Sequence, residues 1–129
     1  MPIGLGTDEP RLSLAVHLTV REIDVISRCM HAVLHGPWLW PGQMQAMYDV
    51  DPAEFSGVVA TWPHGEGSRV QTLAVDGALL AVGKGIRFTP PEWNAWIGFP
   101  KGEVVRVFER VRQLRSEGVV ADWPEERPA

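Results

Sequence analysis

Leu12, Leu14, Val16 and Leu18 alternate with Ser13, Ala15 and His17 near the start of the chain. Apolar residues at every second position share one face of an extended segment, so the pattern predicts a short N-terminal β-strand. At Thr19 the period changes. Thr19 stands three residues before Glu22, the spacing at which a hydroxyl and a carboxylate cap each other's free backbone N–H groups. Ile23, Ile26, Met30, Val33 and Leu34 then keep one helical face apolar as far as Gly36, whose tolerance of positive φ suits a helix stop. The segment "PWLWP" at 37–41 interrupts the period, and a short helix is expected from about Gln43 to Tyr48. Asp51, Pro52 and Glu54 repeat the start signal: an N-cap, the one helical position that suits proline, and a capping carboxylate. The helix they begin should end at Pro63, before the linker "HGEGS".

A shift of 49 positions lays the second half of the chain over the first without a gap. Thr19 meets Ser68 and Gly36 meets Gly85, and Ala32, Val33, Pro41, Ala46, Glu54 and Val58 meet identical residues. The pattern predicts a mainly α, single compact domain over 1–129, with about six helices in two tandem pseudo-repeats, about 19–62 and 68–111. Residues 1–10 read as a loose start, 11–63 as the strand plus the first helical unit, 68–117 as the second unit and 118–129 as an extended tail. A second echo, "GVVATWP" at 57–63 and "GVVADWP" at 118–124, follows a different offset and needs an insertion in the last helix. One stretch stays open. Asp76-Gly77 between apolar runs is a hairpin signal, whereas Val70, Leu73, Ala74, Gly77, Leu80 and Ala81 follow helical spacing; the repeat favours a helix over 69–88.

Charge narrows the field of partners. A formal net charge of −4 speaks against bulk nucleic acid or an anionic membrane as the main partner, since both need a strong basic field. Ten of the twelve cations are Arg, with Lys only at 84 and 101, which together with abundant Ala, Gly, Val and Pro matches coding from a GC-rich bacterial genome. One cysteine, Cys29, allows no internal disulfide and points to a reducing compartment. With no export or membrane-span pattern in view, a cytoplasmic location is expected.

Candidate chemistry is sparse. His31 and His35 stand four apart on a helix, a metal-sharing spacing, but no third ligand accompanies them, so no metal is expected. Cys29 beside Met30 reads as a small buried hydrophobe rather than a nucleophile. "VGKGI" at 82–86 lacks the spacing and the Ser/Thr of a phosphate loop. No catalytic residues and no cofactor are therefore expected. Six tryptophans stand out: Trp62, Trp93 and Trp96 fall on apolar helical positions and read as core. Trp38, Leu39 and Trp40 lie between prolines, and either present rigid aromatic anchors to a partner or fold back over the core.

The segments "NAWIGFPKGEVVRVF" and, less closely, "QAMYDVDPAEFSGVV" resemble the helix-turn-helix family of DNA-binding motifs. Gly98 falls at the turn glycine, with Phe99 and Val104 at apolar positions. Asn94 replaces a small residue, and Asp49 replaces the glycine in the first unit. The resemblance implies a recognition helix near 101–115 that uses Lys101, Arg106 and Arg110, acting as a possible homodimer. The leading expectation is different: a non-catalytic protein-binding module of the inhibitor, antitoxin or immunity type, with another protein as partner and 37–41 as the contact loop.

Overall fold

The computed structural model describes residues 14–38, 50–64 and 69–118, and 78% of these are helical. Leu14–His17 form a single 3₁₀ turn, followed by α1 (Val20–His35), α2 (Pro52–Thr61), α3 (Arg69–Leu80), α4 (Pro90–Trp96) and α5 (Lys101–Ser116). No strand occurs among the described residues, which corrects the predicted N-terminal one. The alternation there is too short to discriminate, and its residues part company in the fold: Leu14 is buried while Val16 is 63% exposed. A lone strand also has no ladder to join. The Leu14 N–H instead reaches the buried Gln71 side chain (3.4 Å), whose amide donates to the His64 carbonyl (3.3 Å). Gln71 thereby ties two loops to α3.

Helix starts follow local chemistry. At α1 the Glu22 N–H donates to Thr19 Oγ1 (3.0 Å) and the Thr19 N–H donates to Glu22 Oε1 (2.9 Å). Asp51 and Glu54 form the same reciprocal pair at α2, with Pro52 in the first turn, as expected. A third box, Thr89 with Glu92, starts α4 at Pro90-Pro91. Pro52 and Lys101 stand 49 positions apart as first residues of α2 and α5. The expected helix at 43–48, the Ser68 cap and the tail 119–129 lie outside the described residues.

The open stretch at 69–88 is helical from 69 to 85 and extended from 86 to 88. α3 packs on α1, α2 and α5 at once and is buried almost all round, including Leu73, Ala74, Val75, Gly77, Ala78 and Leu79. Gly77 costs about 1 kcal/mol in a helix interior, and burying any one of the larger apolar side chains contributes more. Asp76 has its own partner there, Arg115 of α5 at 3.0 Å. At its C-terminal end α3 widens into a π turn, Ala81–Gly85, closed by the Ile86 N–H donating to the Ala81 carbonyl at 2.7 Å.

Gly36 does end α1, for a reason other than positive φ. Its φ is −78°, open to any residue. A Cβ at this position would run into the indole of Trp38 and come within 2.5 Å of the Ala32 carbonyl oxygen. The glycine is there to let Trp38 lie against the helix end.

Candidate functional site

Chain reversal at Gly36 brings Trp38 onto residues that follow the π turn. Its ring lies 4.6 Å from Phe88 and edge-on to Trp96 at 5.2 Å, and Phe88 in turn meets Trp93 edge-on at 5.2 Å. These edge-to-face arrangements favour ring pairs beyond simple area burial. Trp93 is further fixed by its indole N–H, which donates to the Phe99 carbonyl at 2.7 Å. All four rings are half-buried against the core, so Trp93 and Trp96 sit at its margin rather than inside it, as does Trp62, whose indole N–H donates to the Ile23 carbonyl. Trp38 is thus seated in an aromatic cluster, while Leu39 and Trp40 lie outside the described residues.

Beside this cluster lies a half-open cleft of about 450 Å³. Phe88, Pro90 and Trp93 form its apolar part, and Lys84, Arg87 and Lys101 bring three positive charges to it. Three local devices place them. Lys84 stands on the π turn, Arg87 and Phe88 follow on the extended segment anchored by buried Ile86, and Lys101 opens α5. The Lys101 ammonium lies 5.9 Å from the Trp93 ring centre, a cation–π distance. Among the described residues no carboxylate lines the cleft. Both lysines of the chain are here.

Other cations are differently employed. Arg21 makes a two-pronged pair with Glu103, its Nη2 at 2.9 Å from Oε1, and the contact raises the arginine pKa while holding the Glu103 carboxyl below its ordinary range. Arg110 pairs with Glu22 at 3.1 Å and donates to the His17 carbonyl at 3.0 Å. Arg115 holds Asp76, and the Arg112 guanidinium lies 5.6 Å from the Phe108 ring centre. Lys84, Arg87 and Lys101 have no carboxylate partner among the described residues.

The helix-turn-helix-like segment has part of the expected geometry. Gly98 adopts φ +79° between α4 and α5, Phe99 is half-buried, and Val104 is fully buried. The three proposed DNA-contacting cations do not form one surface, however. Arg106 and Arg110 line a groove of about 400 Å³ against the start of α1, in company with Glu22, Glu103 and Glu109, whereas Lys101 belongs to the aromatic cleft.

His31 and His35 stack on the exposed face of α1 with ring centres 5.4 Å apart. Among the described residues no three His, Cys, Asp or Glu side chains gather in a way that would hold a metal. Cys29 is fully buried, and burial pushes its thiol up to about 12, which keeps it protonated at neutral pH. No described helix is long and apolar enough to cross a membrane.

Sequence reasoning misses Lys84, Arg87 and Phe88, treating 82–86 only as a failed phosphate loop. The available signal was the sparing use of lysine in an arginine-rich chain. Comparison with known proteins adds nothing to the geometry: no family model, curated protein or solved structure matches the chain.

Proposed function

We propose that the chain is a non-catalytic protein-binding module, of the kind found among small bacterial inhibitors and immunity proteins. It docks its partner with Trp38, Leu39 and Trp40. The observation that carries this reading is the half-exposed ring cluster of Trp38, Phe88 and Trp93 beside three cations that have no carboxylate partner among the described residues. Rigid aromatics and arginine are enriched at interface hot spots. The test is affinity capture from the host lysate with and without nuclease, using the wild type and Trp38→Ala/Trp40→Ala. A stoichiometric protein should survive nuclease and be lost by the double variant while its helical circular dichroism persists. Equal capture by both, or none, refutes the proposal.

A second reading, a helix-turn-helix-like DNA-binding regulator, is favoured by the positive φ of Gly98 between α4 and α5. Against it, Arg110 is already paired and three carboxylates share its groove. DNA binding would fall steeply with salt and vanish on charge reversal at Arg106. The 49-residue spacing between the starts of α2 and α5 supports reading 19–62 and 68–111 as a duplicated unit.

A further inference from the structure

We infer that the cleft formed by Lys84, Arg87 and Lys101 recognises an acidic segment of the partner protein that carries one aromatic side chain. The inference rests on the proposed protein-binding role and specifies the chemistry of that partner. Three side chains of one sign converge on a single cleft, whereas Arg21, Arg110 and Arg115 each find a carboxylate within the chain. Unpaired like charges repel one another, and an anionic ligand removes that repulsion. The flanking rings select further. Phe88 and Trp93 offer ring surface to an apolar group, and Pro90 extends it, so the complementary ligand alternates carboxylates with an aromatic ring. The half-open shape admits an extended chain from the side.

Nucleic acid fits less well. A phosphate backbone continues its charge in both directions, and beyond these three cations it would meet a chain of net charge −4. A short acidic segment needs only the local patch. The π turn supports the assignment, because such turns persist where they re-aim a functional side chain, and this one carries Lys84.

The test is an amide-resolved NMR titration of the full chain with a synthetic pentapeptide, acidic at four positions and phenylalanine at the centre. Its lysine-substituted counterpart, inorganic phosphate and an oligothymidylate serve as competitors in parallel. The acidic peptide should shift Lys84, Arg87, Lys101 and the Trp93 indole saturably. Lys84→Glu/Lys101→Glu should weaken binding at least about tenfold. Because these are the only lysines, acetylation of the wild type should also weaken it, with only the terminal amine modified besides, and without a sequence change. Shifts elsewhere, no shifts, equal binding of the basic peptide, phosphate or oligothymidylate, or indifference to both charge removals overturn the inference. Partner capture that survives Lys84→Glu/Lys101→Glu but not Trp38→Ala/Trp40→Ala would sink the acidic-segment assignment and leave the protein-binding reading in place. The opposite pattern, peptide bound at the cleft with no captured protein, would sink the protein-binding reading alone.

Discussion

Replacing Gly36 by alanine puts a methyl group where the Trp38 indole and the Ala32 carbonyl oxygen already are. The carbonyl cannot easily withdraw, because it accepts the last hydrogen bond of α1 from the Gly36 N–H at 2.9 Å. The indole must move instead, and it leaves two ring pairs, with Phe88 and Trp96. At about 0.5–1.5 kcal/mol for each pair, the loss is about 1–3 kcal/mol. Alanine also restricts the unfolded chain, a gain of about 0.4–1 kcal/mol, and the φ of −78° suits it. These two ranges leave a net loss of about 0–2.6 kcal/mol, about 1 kcal/mol at mid-range, to which the approach to the Ala32 carbonyl oxygen adds, or roughly 4 °C or more in Tm for a chain of this size. Thermal and urea unfolding followed by far-UV circular dichroism measures it, and near-UV circular dichroism should show the indole displaced. In a Trp38→Ala background the same substitution should cost less, since the clash with the indole is gone and only the approach to the Ala32 carbonyl oxygen remains. An unchanged or raised Tm in the otherwise wild-type chain would refute the account, because the unfolded-state gain would then be acting alone.

Burial raises the Cys29 thiol pKa to about 12 from about 9, so the unfolded chain releases this proton first as pH rises. Stability should therefore fall between these values, by up to about 1.4 kcal/mol per pH unit more than in Cys29→Ala, as read by urea unfolding at stepped pH. Arg115→Ala deprives Asp76 of its counter-charge while Asp76 Oδ1 is already buried without a partner; a loss of about 1–3 kcal/mol is expected, much of it recovered when Asp76→Ala is added. Glu103 is held below its ordinary pKa chiefly by the hydrogen bond from Arg21, so its share of stability is present above the ordinary glutamate range and lost as pH falls through the folded value. A carboxyl NMR titration should place it low in the wild type and return it toward its ordinary value in Arg21→Ala.

Chemistry confined to a few neighbouring residues was readable without the fold. Thr19 with Glu22 and Asp51 with Glu54 announce their helices because both halves of each cap lie within one turn. Asp76-Gly77 was ambiguous because what decides it is distant: α1, α2 and α5 surround α3, and Arg115 comes from 39 positions away. The predicted strand failed for a related reason. Seven residues of alternation say nothing about whether a second strand is present to pair with, and Leu14 found Gln71 instead. At the candidate site, the run of aromatic residues at 37–41 drew notice by composition, yet nothing local indicates that Trp38 meets Phe88. The three cations of the cleft come from a turn, a loop and a helix start that only tertiary packing brings together.

The π turn at Ala81–Gly85 amounts to one residue more than an α-helix needs for the same rise. Four α-helical residues turn a chain through about the same angle as five π-helical ones, so deleting one residue there would restore α-helical winding and leave Arg87 and Phe88 beside Lys101 and Trp93. The chain can thus gain or lose one residue at this turn without disturbing the helix before it or the cleft after it.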